Sequence, residues 1–88
     1  MKRIEFTNQY RRDTKRMLKR GKDFGKVDVI IGLLQQGDPL PAKYRDHALK
    51  GEFAGARDCH IEPDWLLVYE ATEEVVRLYR MGSHSDLF

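Results

Sequence analysis

The sequence predicts an α+β fold in which a helical hairpin packs on a small antiparallel sheet, in the order β-α-α-β-β-β. Three observations predict it: a short alternating segment at the start, two segments of helical periodicity after it, and three strand-like apolar runs in the C-terminal half. Of the 88 residues, 34% are charged and 41% hydrophobic, a balance typical of a folded soluble chain. We therefore expect one domain spanning residues 1–88.

The N-terminal half is predicted to contain one strand and two helices. Residues 2–6 alternate, with Ile4 and Phe6 on one side, which is the period of a strand. Apolar residues then recur at helical spacing in two segments, the first ending near residue 20 and the second at Gly37. Gly21 suits the end of the first helix, and Asp23 is a candidate N-cap for the second. The short link between them predicts an antiparallel helical hairpin.

The C-terminal half is predicted to be a long loop followed by three strands. Pro39 and Pro41 cannot continue a helix, so residues 38–52 are expected to form a loop. The strands are predicted at about 53–61, 65–71 and 75–80, and their short turns indicate an antiparallel meander. With the helices on one face of this sheet, the other face is left for a ligand.

Charge is distributed unevenly along the chain. Residues 1–41 contain ten Lys and Arg against five Asp and Glu, whereas residues 42–88 contain six against nine. The basic segment that causes this asymmetry forms either a solvated helix surface or a binding site for a polyanion. Six cations, here called the basic helix residues, carry most of it: Arg11, Arg12, Lys15, Arg16, Lys19 and Arg20.

No apolar run approaches the ~20 residues that a membrane helix requires, and the first 20 residues lack the apolar core of a secretory signal. The only cysteine, Cys59, excludes an internal disulfide. The expected location is the cytoplasm, with no membrane partner.

The three histidines all lie in the C-terminal half, each near a strand end or in a loop. Strand alternation places His60 on one sheet face with Asp58 and Glu62, and Arg80 can reach that face from the last strand. Imidazoles exchange protons near neutral pH, and a guanidinium stabilises charge on a phosphoryl group. Such a set suits RNA cleavage without a metal, in which the 2′-hydroxyl attacks its own phosphate.

Other interpretations of these residues remain open. The histidines and Asp64 are side-chain types that bind zinc, but no tight pair of histidines and no cysteine pair is present, so spacing disfavours a metal centre. A single loop histidine can also be merely solvated. Cys59 is expected to be a small core residue. Trp65 and Phe88 belong either to the core or to a surface that stacks on an unpaired base.

Three segments carry a resemblance to a known family. They read PAKYRDHALKG at 41–51, GARDCHIEPDWLLVY at 55–69 and RMGSHSDLF at 80–88. Together with the order of elements over the whole chain, they resemble the YafQ-type toxins of the RelE/ParE superfamily. The resemblance implies a type II toxin–antitoxin toxin, a ribosome-dependent endoribonuclease that cuts mRNA in the A site and is silenced by a cognate antitoxin.

The resemblance also implies roles for individual residues and for partners. The expected catalytic residues are His47, His60, Asp64, His84 and Arg80. The expected substrate-binding residues are Trp65, Phe88, Lys50 and Arg57. The basic helix residues would contact ribosomal RNA or an acidic antitoxin segment, with the toxin a monomer alone and a hetero-oligomer with its antitoxin. No metal or other cofactor is expected.

Two rival functions differ from this expectation. One is a ParE-like toxin, which shares the fold but binds gyrase and lacks this histidine set. The other is a catalytically inactive module that binds RNA or protein. Removing the histidines discriminates among them, because only nuclease activity depends on imidazole chemistry.

Overall fold

A computed structural model of residues 1–88 shows a five-stranded sheet in the order β1-β5-β4-β3-β2, with helices packed on it. The strands are β1 (Arg3–Phe6), β2 (His47–Ala48), β3 (Arg57–Glu62), β4 (Trp65–Ala71) and β5 (Val75–Gly82). The helices are α1 (Asn8–Lys19), α2 (Gly25–Gln36) and α3 (His84–Leu87). The predicted α+β fold is confirmed. The sequence did not predict β2, α3 or two short 3₁₀ turns, Ala42–Tyr44 and Gly51–Phe53.

Local signals explain where the two long helices begin and end. The Thr7 hydroxyl accepts a hydrogen bond from the backbone N–H of Tyr10 and so caps α1. Asp23 was predicted to cap α2, but Phe24 occupies the N-cap position, and the Asp23 carboxylate accepts a bond from the N–H of Gly25 instead. Gly37 ends α2 with a φ of 76°, a left-handed conformation that glycine adopts without steric cost.

The sheet is mixed, although an antiparallel one was expected. Strands β3, β4 and β5 form the predicted antiparallel meander, with β4 in the centre. Strand β1 pairs with β5 in parallel, so that Ile4 lies beside Val76. The two helices lie between β1 and the meander in the chain, and this long crossover lets β1 run in the same direction as the last strand.

Side chains cover the two faces of the sheet differently. The face under α1 and α2, called the helix face, holds the main core, in which Met17 and Ile30 pack with Cys59, Leu67 and others. The opposite face, called the open face, has only a small apolar cluster of Ala56, Leu66, Val68 and Leu87. The open face is therefore the surface available to a ligand.

Cys59 behaves as the small core residue that was expected. It is fully buried on the helix face, and burial raises the pKa of its thiol to about 12. A thiol held neutral in this way is a poor nucleophile.

The two long helices have 12 residues each, and none of the helices is long and apolar enough to cross a membrane.

Candidate active site

Three imidazoles meet on the open face. His60 on β3 lies in the middle, with its ring centroid 5.5 Å from that of His84 on α3 and 6.5 Å from that of His47 on β2. His47 reaches this position because β2 pairs with β3 and sets it directly opposite Asp58. The structure thus gathers three residues that lie far apart in the sequence.

Asp64 lies in the turn between β3 and β4 and holds His84. Its Oδ1 atom accepts two hydrogen bonds from that residue, one from the backbone N–H at 2.8 Å and one from ring Nδ1 at 2.6 Å. Backbone and ring bonds from His84 lower the pKa of the Asp64 carboxyl. Because the carboxylate only accepts, Nδ1 carries the hydrogen, and Nε2 remains for the substrate.

The backbone of the preceding loop orients His47. Its Nδ1 lies 2.8 Å from the carbonyl oxygen of Arg45 and donates to it, which leaves Nε2 as the proton acceptor of the neutral ring. Arg45 is the only non-glycine residue with positive φ, at 49°. This left-handed turn directs its carbonyl towards the imidazole. The imidazole of His60 makes no hydrogen bond within the protein.

Asp58 is a charged residue at this site that sequence reasoning did not single out. It is 3% exposed, and its Oδ1 lies 3.2 Å from His47 Nδ1. Burial raises the pKa of the Asp58 carboxyl, whereas the three histidines act to lower it. The alternation that puts Asp58 on the face of His60 was the available signal.

Two of the basic helix residues hold α3 in place. Arg20 makes a bidentate contact to Asp86, with distances of 2.7 and 3.1 Å, and Arg16 lies 3.7 Å from the same carboxylate. Asp86 in turn forms a capping box with Ser83 at the start of α3. We call these contacts the Asp86 clamp. Arg16 lies closer to the carbonyl oxygen of Met81 and to Asp13, each at 3.1 Å. Both arginines remain partly exposed while they contact Asp86, so their assignment to ribosome or antitoxin binding stays a prediction.

The other basic helix residues remain on the surface. Arg11 lies over the ring of Phe6, with its guanidinium carbon 4.8 Å from the centroid, and Arg12 bonds only to the side chain of Gln9. Lys15 and Lys19 are exposed and make no ion pair. These four cations are available to a polyanion.

Arg80 lies on the open face but is bound by a buried carboxylate. Register places it across β4 from Asp58, through Val68. Its Nε and Nη2 atoms donate to Asp13 at 2.9 and 3.2 Å. Burial opposes ionisation of Asp13, but bonds from Arg80, Gln9 and the backbone of residue 81 hold the pKa of this carboxyl below its ordinary value. Nη1 and the second N–H of Nη2 remain for a substrate.

Two expected substrate-binding residues lie on the helix face of the sheet. Trp65 is fully buried on the helix face and packs against Phe24, with ring centroids 5.4 Å apart, so it cannot stack on a base. Arg57 shares the helix face with Cys59, and its guanidinium makes a bidentate contact to Asp46. Strand alternation puts both side chains on the face opposite His60. The expectation for the buried Trp65 is therefore wrong, whereas that for Arg57, which is exposed, stays a prediction.

The other two expected substrate-binding residues are accessible. Phe88 is 62% exposed and makes an edge contact with Phe53, with ring centroids 5.8 Å apart. Lys50 is exposed and makes no ion pair. The structure contains no group of three or more His, Cys, Asp or Glu side chains arranged to hold a metal ion.

Comparison with known proteins decides the family. A sequence profile described as "Bacterial toxin of type II toxin-antitoxin system, YafQ" matches residues 2–88. The chain belongs to the YafQ toxin family. The mRNA interferase toxin YafQ of Escherichia coli K12 is 45% identical over 86 residues, which cover 97% of this chain and 94% of that protein.

Solved structures of YafQ-like toxins share the fold. The YafQ toxin in the E. coli DinJ-YafQ toxin-antitoxin complex superimposes with a TM-score of 0.91 at 44% identity, covering 99% of this chain and 97% of that one. A metal-bound toxin from Helicobacter pylori superimposes with a TM-score of 0.92 at 41% identity, and both chains are covered fully. The YafQ-type resemblance of the sequence is thus confirmed.

Proposed function

We propose that this YafQ-family toxin is an mRNA interferase, a ribosome-dependent endoribonuclease that cuts mRNA in the A site. The observation that carries the proposal is the Asp64–His84 pair, held at 2.6 Å beside the ring of His60 on an otherwise open sheet face. An imidazole paired with a carboxylate can act as an acid, and an unpaired imidazole on the same accessible surface can act as a base. The E. coli relative named an mRNA interferase supports the same activity.

The reaction would proceed through the 2′-oxygen of the RNA. Nε2 of His47 removes the 2′-hydroxyl proton, with His60 beside it as a second acceptor, and the oxygen attacks the adjacent phosphorus. His84 in its protonated form gives its Nε2 proton to the leaving 5′-oxygen, because the Asp64 carboxylate stabilises the imidazolium. The products are a 2′,3′-cyclic phosphate and a 5′-hydroxyl, and no metal takes part.

Three further residues would hold the RNA. The free Nη1 of Arg80 would donate to the phosphate as charge builds on it. Phe88 is exposed enough to stack on a base, and Lys50 would contact a neighbouring phosphate. These contacts position the strand so that its own hydroxyl is the nucleophile.

The proposed partners follow from the surface charge and from the relatives. The four free cations on α1 would contact ribosomal RNA phosphates, which position without specifying sequence. Because the E. coli YafQ toxin forms a complex with DinJ, we propose that a cognate antitoxin silences this chain as well. A ribosomal target places the action in the cytoplasm.

Induced expression followed by mapping of mRNA 5′ ends tests the proposal. The wild type should produce new 5′ ends in ribosome-bound mRNA within reading frames, and His84→Ala should produce none while keeping its circular dichroism spectrum and its antitoxin binding. Growth arrest by a folded His84→Ala protein would refute the assignment. Arrest together with inhibited gyrase supercoiling would instead favour the ParE-like function.

A further inference from the structure

Asp58 is a buried carboxylate to which the mechanism above gives no role. It is 3% exposed on the open face of β3, and its Oδ1 has no hydrogen-bond partner within the protein. Burying an ionisable group without a partner costs free energy. A partner for this oxygen at another stage of the reaction would offset that cost.

The geometry identifies that partner as His47. The two residues face each other across the β2–β3 pairing, and Oδ1 of Asp58 lies 3.2 Å from Nδ1 of His47. The same Nδ1 lies 2.8 Å from the carbonyl of Arg45, and the neutral ring donates there. One hydrogen thus has two acceptors, a neutral carbonyl and a potential anion.

We propose that Asp58 is the positioning residue of His47 and accepts its Nδ1–H when the ring becomes cationic. In the step that forms the cation, Nε2 takes the proton of the RNA 2′-hydroxyl and the freed electron pair of that oxygen forms the new bond to phosphorus. The bond from phosphorus to the 5′-oxygen breaks, and this oxygen takes the Nε2 proton of His84. The inference rests on the proposed function, because it makes His47 the base.

The surroundings favour a response of Asp58 to this proton. Its charged and titratable neighbours are His47 from β2, His60 from β3, His84 from α3 and Asp46 from the loop before β2. From β4 it meets apolar Val68, its Cα partner. A poorly solvated carboxylate attracts an adjacent cation more strongly than an exposed one does. Asp46 already accepts bonds from Arg57, so it competes little for His47.

The test begins with the free toxin and needs no RNA. Nitrogen NMR would follow each imidazole through a pH titration in the wild type, in Asp58→Asn and in Asp58→Ala, the second variant serving if the first does not fold. Loss of the Asp58 charge should lower the titration midpoint of His47 by about one pH unit. Asp64→Asn is the matched control and should lower the midpoint of His84 while that of His47 stays. An unchanged His47 midpoint in the Asp58 variants overturns the proposal.

The second measurement is single-turnover cleavage of mRNA on programmed ribosomes. Asp58→Asn should cleave about ten-fold more slowly at saturating toxin, with half-saturation unchanged, because a weaker base acts on RNA that is bound normally. The acidic limb of its pH–rate profile should move to lower pH. A full rate in Asp58→Asn, alongside a slow Asp64→Asn, would overturn the role of Asp58 and leave the nuclease assignment intact. A wild type that cannot cleave would refute the proposed function, and the titration alone would then decide whether Asp58 and His47 are coupled.

Discussion

Two of the three imidazoles have Nδ1 bonded to an oxygen, and the nature of that oxygen separates their roles. The partner of His84 is an ionised carboxylate, Asp64, at 2.6 Å. His47 bonds instead to the neutral carbonyl of Arg45 at 2.8 Å, and its nearest carboxylate, Asp58, lies farther away at 3.2 Å. An anion beside Nδ1 stabilises the protonated ring, and a carbonyl only fixes the tautomer. This contrast is the basis on which we propose His84 as the acid.

Asp64→Asn tests this assignment at the scale of one atom. The amide keeps the shape of the carboxyl but removes the charge that stabilises protonated His84, so cleavage of ribosome-bound mRNA should slow by about 100-fold. Single-turnover cleavage measures the change. Glu73→Gln is the matched control, because this exposed carboxylate in the β4–β5 turn makes no ion pair. Equal cleavage rates in Asp64→Asn and in the control would show that the charge of Asp64 has no role in the mechanism.

At the scale of elements, the position of His84 depends on how α3 is attached. The helix has four residues and does not persist alone, so the Asp86 clamp and the close approach at Gly82 hold it. A Cβ at Gly82 would lie 2.8 Å from Cβ of Asp86 and 2.9 Å from Nη2 of Arg16. The spacing therefore requires a glycine where β5 meets α3.

Gly82→Ala should displace α3 and so lower cleavage at least ten-fold, since small misplacements of a catalytic group reduce rates strongly. Gly32→Ala on α2 is the matched substitution, because a Cβ there meets nothing within 4 Å. It should leave cleavage unchanged and raise the free energy of unfolding by about 0.5–1 kcal/mol. Urea denaturation and single-turnover cleavage provide both measurements. Normal activity in a folded Gly82→Ala protein would contradict the role given to the clamp.

The Asp86 clamp should also respond to acid. Hydrogen bonds from Arg20 first, and from Ser83, hold the pKa of the Asp86 carboxyl far below its ordinary value. Because the folded-state pKa is depressed, the stabilisation is complete above the ordinary Asp pKa of about 4 and is lost as pH falls towards the folded value. Unfolding by urea should thus become easier below about pH 4, and less steeply so in Asp86→Asn. Equal slopes in the two proteins would show that the clamp adds nothing to stability.

The surface of α1 allows the ribosome contact to be tested without disturbing α3. Lys15→Gln with Lys19→Gln removes two free cations. In a plot of the logarithm of the ribosome association constant against the logarithm of salt concentration, the slope should become less steep by roughly one per lost phosphate contact. Arg16→Gln with Arg20→Gln should instead reduce cleavage through the clamp. Binding measured over a salt series distinguishes the pairs. An unchanged slope for the lysine variant would mean that this surface is merely solvated.

At the scale of the whole molecule, the proposed reaction requires the open face to accommodate a single RNA strand that supplies its own nucleophile. An mRNA with one 2′-deoxy nucleotide at the scissile position should resist cleavage on programmed ribosomes, whereas a deoxy nucleotide elsewhere should have no effect. Magnesium stays present, because ribosomes require it. A 5′-phosphate on the downstream fragment, or cleavage at the deoxy position at the normal rate, would indicate attack by water or by a metal hydroxide.

Periodicity and turn residues were enough to predict most of the fold from the sequence. They located both long helices and gave β4 its exact bounds, because these elements are built from local patterns. They could not reveal the parallel pairing of β1 with β5, which depends on contacts between distant segments. They also missed α3, whose four residues are ordered by the tertiary contacts of Asp86.

The site could be predicted in its residue types better than in its contacts. His47, His60, Asp64 and His84 come together as the family pattern suggested, since they lie where strands end on one face. Trp65 was misplaced because the family pattern was given more weight than the strand alternation, which puts this side chain in the core of the helix face. The clamp on Arg16 and Arg20 could not be foreseen, because charge counts do not show which cations already have a partner.

The parallel pairing of β1 with β5 has a consequence for the synthesis of this toxin. Strand β1 leaves the translating ribosome early, but its partner in the sheet is β5, in which Val75 pairs with Arg3 and Val76 with Ile4. Strand β1 therefore stays unpaired until β5 has been made. His84, the proposed acid, comes later still in the chain. A nascent chain therefore cannot complete the sheet or the proposed site until β5 and α3 have been made.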